Sequence, residues 1–174
     1  TLRRLAQAVA NAETLDEALN IIVTRIKDIM QTGVCSVYLT DDAQDEWVLM
    51  ATDGLNPESV RVASLKKDEG LVGTVGSRGE LLNLDDAPSH PSFRFIRETG
   101  EEIFQSFLGV PIVHERLILG VLVVQQTTQR CFSTDEESLL VTVAAQLSAL
   151  IAHAKVSGRL NLQSDGSNRD VYFK

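Results

Sequence analysis

Residues His90 to Phe95 read His-Pro-Ser-Phe-Arg-Phe and set one guanidinium between two aromatic rings in a turn-rich stretch. A guanidinium offers a planar fork of donors to a carboxylate, and aromatic walls exclude water, so the segment suits the gripping of a small anion. The same residues could instead serve as aromatic anchors that fix a long loop. Tyr38 and Thr52 lie in strand-like segments and can contribute hydroxyls from a sheet. The expected ligand set is therefore Arg94, Phe93, Phe95, Tyr38 and Thr52, and its charge fork and aromatic walls suit a dicarboxylate or an amino acid.

Other constellations carry less. Gly70, Gly73, Gly76 and Gly79 recur every third residue, a spacing that matches neither Gly-x-Gly-x-x-Gly nor Gly-x-x-x-x-Gly-Lys, so tight helix-to-sheet packing or turns are expected, not a phosphate loop. His90, His114 and His153 are scattered without His-x-x-x-His or Glu-x-x-His spacing, which points to neither zinc nor di-iron. No Gly-x-Ser-x-Gly elbow occurs, Cys35 sits mid-strand as a packed thiol, and Cys131 is too distant for a Cys-x-x-Cys motif. Asp85-Asp86 reads as a turn or cap and Glu101-Glu102 as a solvated face. No catalytic residue, metal site or cofactor is expected.

Across its 174 residues the chain sets 16 Lys plus Arg against 24 Asp plus Glu, a net charge of −8. Such a surface repels phosphate backbones and anionic headgroups, so neither nucleic acid nor a membrane is an expected partner. Lys155, Arg159, Arg169 and Lys174 against Asp165 and Asp170 give residues 155–174 a net +2, which leaves −10 on residues 1–154. The longest apolar run, Leu117 to Val124, falls far short of the roughly 20 residues of a spanning helix and reads as a buried strand. With two distant cysteines and no opening signal sequence, a reducing cytoplasm is expected. The chain opens on Thr1, as an excerpt of a longer protein would.

The elements that must position these residues are legible in part. Thr14-Leu15-Asp16-Glu17 is a capping box, and Leu15, Leu19, Ile22, Ile26 and Ile29 form one apolar stripe on a helix ending near Gly33. A shorter helix is expected over residues 2–12, bent against it. Val34 to Leu39 and Trp47 to Ala51 form a hairpin, Val60 to Leu65 a third strand, and Phe107 to Val113 with Leu117 to Gln125 a second hairpin. Ser133-Thr134-Asp135-Glu136 opens a long helix striped by Leu140, Val143, Leu147, Leu150 and Ala154. Strands joined by hairpins between terminal helices argue for an α+β fold with an antiparallel sheet. The periodicity fades after His153, so residues 155–174 read as a linker or an appended tail.

Residues 3–154 resemble a GAF domain, a small-molecule sensing module. The resemblance rests on Cys35-Ser36-Val37-Tyr38-Leu39, Met50-Ala51-Thr52-Asp53-Gly54-Leu55, Glu69-Gly70-Leu71-Val72-Gly73, Asn83-Leu84-Asp85-Asp86-Ala87, Gly109-Val110-Pro111-Ile112 and Leu119-Gly120-Val121-Leu122, in that order. More narrowly, residues 87–93, 107–113 and 119–126 are similar to the N-terminal sensors of the nitrogen-type Enzyme I family, the bacterial phosphoenolpyruvate–protein phosphotransferases. The resemblance implies a sheet of about six antiparallel strands, with the terminal helices on one face and loops and short helices enclosing a ligand on the other.

It further implies a regulatory sensor in residues 1–154, not an enzyme. The parent would be a phosphotransferase whose catalytic domains lie outside these residues and whose phosphorelay answers to glutamine or 2-oxoglutarate. Where cyclic-nucleotide-binding members carry Asn-Lys, this chain has Gln125-Gln126, which argues against such a ligand. The apolar helix stripes suit a homodimer joined through the terminal helices, or simply the covering of the domain's own sheet. A ligand-free protein-interaction or dimerisation domain is the alternative reading.

Overall fold

Thr14 does what its residue type dictates: its hydroxyl accepts the Glu17 N–H at 3.1 Å, while the Glu17 carboxylate accepts the Glu13 N–H at 3.1 Å. Helix α2, Leu15–Met30, starts on that cap and stops where Gln31 turns left-handed. A computed structural model describes residues 2–156 except 42, 44 and 100–103. Helix α1, Leu2–Ala10, precedes α2 and bends against it. At the last turn the expected stripe is one residue out of phase: Ile29 is 44% exposed, and Met30, four residues after Ile26, takes the buried place.

Six strands follow: β1 Val34–Asp41, β2 Glu46–Asp53, β3 Ser64–Lys66, β4 Leu82–Leu84, β5 Ser106–His114 and β6 Leu117–Gln126. They form one sheet in the order β3-β2-β1-β6-β5-β4, every neighbouring pair antiparallel. The β5–β6 hairpin closes on Glu115 and Arg116, both at positive φ, the two-residue geometry whose twist matches that of the strands.

The expected third strand from Val60 shrinks to Ser64–Lys66. Pro57–Ser59 form a 3-10 turn, and Arg61 adopts φ 68 to send its N–H to the Leu49 carbonyl at 2.7 Å. Two elements carried no periodic signal. One is β4, only three residues long, and the other is helix α3, Gly70–Arg78.

The sheet is covered on both faces, which explains why β1 is buried along its whole length and why the middle of β6 is continuously apolar and does not alternate. On one face α2 and α4, Thr134–Val156, bury Leu19, Ile26, Leu140, Leu147 and Ile151 against Leu39, Leu108, Ile112 and Leu122. In α4 the stripe again slips late: Ile151 is fully buried and Leu150 only half-buried. Lys155 and Val156 continue the helix two residues past the expected boundary at 154, and residues 157–174 lie outside the described part. By length and composition α4 could cross a membrane; in this fold it packs on β5 and β6.

On the other face α3 lies over Tyr38, Trp47, Phe107 and Val121. Its glycines allow that approach. A Cβ on Gly76 would come within 2.8 Å of Trp47 Cη2 and 2.6 Å of Cε2, and Gly79 ends the helix at φ 67. The expectation of close helix-to-sheet packing is met here.

Ser133 and Glu136 cap α4 reciprocally, the Ser133 hydroxyl accepting the Glu136 N–H at 3.1 Å and the Glu136 carboxylate accepting the Ser133 N–H at 3.0 Å. Glu136 also bonds Arg130. Burial acts to raise the Glu136 pKa, but the hydrogen bonds from Ser133 and Arg130 outweigh it and hold the carboxyl below its ordinary value. A depressed folded-state value means a stabilising contribution that is present above the unfolded-state range and vanishes as pH falls through the folded-state value. Glu136→Gln is therefore expected to lower stability near pH 7 by more than it does at about pH 3. Urea denaturation at both pH values checks this, and equal losses would refute it.

Candidate functional site

The site begins at Gly70, whose φ of 72 turns the chain from Glu69 into α3 and brings its first residues over the sheet. Opposite runs a strap from Pro91 to Ile96. His90 starts it: its carbonyl accepts the Phe93 N–H at 3.0 Å and its Nδ1 accepts the Ser92 N–H at 3.1 Å. Farther on, Thr99 Oγ1 donates to the Ile96 carbonyl at 2.7 Å and the Thr99 carbonyl accepts the Asn56 N–H at 2.8 Å. His90 is thus spent on shaping the strap. Phe93 and Ile96 pack half-buried on the loop-side core, so the strap is anchored by apolar residues as well as carrying a cation.

Between α3, the strap and the sheet lies a cavity of about 30 Å³ bordered by Tyr38, Leu71, Phe93, Arg94, Phe107 and Gln125, among others. A space of that size holds about one water, whereas metabolite pockets run to some 300 Å³ and more. Arg94 stands at its rim, 62% exposed, with Nη1 3.6 Å from Oε2 of Glu69, which is 27% exposed. Glu69 occupies the N-cap position of α3 but makes no side-chain cap bond.

Of the five expected ligand residues, the structure brings Tyr38, Phe93 and Arg94 to this cavity and separates the other two. Phe95 turns outward and is 48% exposed. The Thr52 hydroxyl is spent locally, sharing a hydrogen bond with Ser36 Oγ at 2.9 Å and accepting the Leu55 N–H at 3.4 Å. Thr52 borders a different depression beside Asp16 and Arg61, which form an ion pair at 3.1 Å. The residues that pattern reasoning missed are Gln125, Glu69 and the first turn of α3. Glu69-Gly70 was their available signal, a carboxylate followed by a residue free to adopt positive φ just ahead of an apolar pair.

Elsewhere the chemistry is quiet. Burial, with the nearby Asp53 charge adding to it, pushes the Cys35 thiol far above its ordinary pKa, so it stays protonated and packed. Asp86 sits at the N-cap of the Ala87–Ser89 turn and accepts the Ser89 hydroxyl at 2.6 Å, the turn-or-cap role expected of it; Glu101 and Glu102 lie outside the described residues. Among the described residues no three His, Cys, Asp or Glu side chains gather as a metal site would require. On the helix-covered face, by contrast, an apolar groove of about 540 Å³ runs between α1 and α4, with walls that include Leu5, Val9, Leu147 and Leu150. A neighbouring hollow of about 470 Å³ shares Val9, Leu150 and His153 with it.

Six antiparallel strands, terminal helices on one face, and α3 with a strap enclosing a cavity on the other define a GAF domain. The GAF family model matches residues 14–151, and the chain belongs to that family. Within it the likeness is to phosphotransferases. A phosphoenolpyruvate-dependent phosphotransferase system protein of Salmonella typhimurium is 49% identical over 156 residues, which is 90% of this chain and 21% of the relative. The chain thus spans about a fifth of the length of that relative. The GAF domain of a phosphoenolpyruvate–protein phosphotransferase from Coxiella burnetii superposes with a TM-score of 0.88 at 44% identity, covering 91% of this chain and 95% of that one. The corresponding Acinetobacter domain gives 0.84 at 45% identity over the same shares.

Proposed function

We propose that residues 1–154 are the regulatory sensor of a phosphoenolpyruvate–protein phosphotransferase of the nitrogen phosphotransferase system, acting in the cytoplasm. The segment binds a small polar metabolite, glutamine or 2-oxoglutarate, and does no chemistry itself; the catalytic domains of the parent chain receive the signal. The observation that carries this reading is the cavity between α3 and the strap with Arg94 at its rim, in a domain 49% identical to part of a phosphotransferase. Arg94 grips a ligand carboxylate, Phe93 and Tyr38 wall it, and the strap moves outward to make room, since about 30 Å³ does not hold a metabolite.

Calorimetry of this chain with each metabolite tests the reading. Binding of one of them is expected, and Arg94→Ala is expected to weaken it about tenfold or more, the loss of a charge-assisted pair. Heat from neither ligand, or an Arg94→Ala protein that binds as well as its parent, would sink it.

The terminal helices carry the second half of the proposal. The groove between α1 and α4 is apolar and open, and Ala6, Ala10 and Ala149 on its walls let another helix approach closely. A second copy filling it through the same face would give a two-fold dimer with the helices bundled at its centre. The alternative function, a ligand-free interaction or dimerisation domain, draws on one specific contrast: the loop-face cavity is about 30 Å³ and the helix-face groove about 540 Å³.

A further inference from the structure

The groove between α1 and α4 and the hollow beside it are apolar except at one end. Among the described residues that line them, the titratable ones are Glu13 and His153, both at the end where α1 leads into α2. Arg3 stands at the other end. It precedes Ala6 by three residues and Ala10 by seven, so it shares a face of α1 with the two alanines that line the groove. Arg3 and Glu13 are both exposed. They cannot reach each other within one copy, because a helix of nine residues runs about 13 Å and Glu13 lies past its end. Nor, among the described residues, does either side chain have another ion-pair partner.

This face reads as its own complement. Arg3 lies three residues before Ala6 and Glu13 three residues after Ala10. A two-fold axis at right angles to α1, midway between the alanines, therefore sets Arg3 of one copy opposite Glu13 of the other and Ala6 opposite Ala10. An axis along the helices would instead set Arg3 against Arg3 and Glu13 against Glu13. Like charges would then meet at both ends of the contact, which disfavours that orientation.

We propose that a second copy of this chain seats in the groove with its α1 antiparallel to the first, its register fixed by two reciprocal Arg3–Glu13 ion pairs. This rests on the reading of the groove as a dimer interface. The affinity comes from the apolar walls, Leu5, Val9, Leu147 and Leu150, which the partner covers. The ion pairs lie at the rim, where charge decides orientation more than strength. At the axis the short side chains of Ala6 and Ala10 allow the two α1 helices to approach closely.

Sedimentation of this chain and of its charge reversals at low salt tests the pairing. Arg3→Glu and Glu13→Arg are each expected to weaken the dimer about tenfold, and the two together in one chain to restore it to within about threefold of the parent. Cross-linking reads the orientation directly. In a Cys131→Ser background, which removes the exposed thiol and leaves the buried Cys35, chains carrying Arg3→Cys are mixed with chains carrying Glu13→Cys and oxidised in air. The mixed disulfide is expected, and neither variant alone is expected to link to itself. Circular dichroism checks that every variant folds. Self-linked dimers of Arg3→Cys, no mixed disulfide, or a double reversal no stronger than the single ones overturn the antiparallel arrangement and leave the dimer reading standing. A parent chain that stays a monomer at high micromolar concentration overturns both together.

Discussion

Gly76→Ala is expected to lower the melting temperature by about 4–8 °C, and the sign is the informative part. Alanine is the better helix former, worth up to about 1 kcal/mol over glycine at a mid-helix position, so helix propensity alone predicts stabilisation. Packing opposes it. The added Cβ would stand 2.6 Å from Trp47 Cε2 and 2.8 Å from Cη2, distances at which something must shift. The ring is poorly placed to yield, because its Nε1 donates to the Lys67 carbonyl at 3.0 Å and the Lys67 ammonium lies 4.0 Å from the ring centroid.

Overpacking of this kind costs about 1–3 kcal/mol, and the boxed ring puts Gly76 at the upper end, so that about 2 kcal/mol remains once the gain in helix propensity of about 1 kcal/mol is taken off. At roughly 2–4 °C per kcal/mol for a domain of this size, the shift follows. Trp47 is the single tryptophan, so its emission during thermal unfolding reports on the site directly. A melting temperature unchanged or raised would mean that α3 is not held against Trp47 as described.

Leu150→Asp is expected to convert the proposed dimer into a monomer while leaving the fold intact. Leu150 is half-buried against the edge of the helix-side core and lines both the groove and the adjoining hollow, so a carboxylate there costs the isolated domain about 1–2 kcal/mol, short of unfolding it. In a dimer it would be desolvated among Leu5, Val9 and Leu147 with no partner, a penalty of several kcal/mol that lowers association by a thousandfold or more. Sedimentation at tens of micromolar, with circular dichroism as the check on folding, measures both. A parent chain that sediments as a monomer at high micromolar concentration would end the dimer proposal. A dimeric Leu150→Asp protein would move the interface elsewhere.

The sequence was most readable where one physical signal decided the matter. Thr14 and Ser133 each open a helix with a side-chain oxygen on a backbone N–H three residues on, a purely local event, and both helices start where those residues place them. The apolar run from Leu117 to Val124 announced a buried strand, and β6 is that strand. Reading failed where tertiary contact overruled local pattern. A helix with three glycines in nine residues has poor propensity, and α3 exists because those glycines let it lie against Trp47 and Asp68.

Ile29 and Leu150 lost their buried places because a run of three- and four-residue steps does not fix the last step of a helix with 3.6 residues per turn; Met30 and Ile151 took them. The site was half legible for a related reason. Arg94 and Phe93 advertise themselves by type, but the fate of the Thr52 hydroxyl was settled by Ser36 across the strand pair and by the turn at Leu55. Glu69 stood out only within a family segment, because a carboxylate before a glycine is ordinary until a guanidinium from another loop arrives beside it.

The two outermost strands, β3 and β4, are three residues each. Just ahead of β3, the chain from Arg61 to Ala63 already bonds to Leu49 of β2, and β5 carries Pro111, which has no N–H to offer, beyond its last pairing with β4. Among the described residues, the rims of the sheet therefore present little free backbone onto which a neighbour's strand could zip. Domains of this build can be crowded at high concentration, as modules strung along a longer polypeptide are, without their sheet rims seeding fibre-like aggregation.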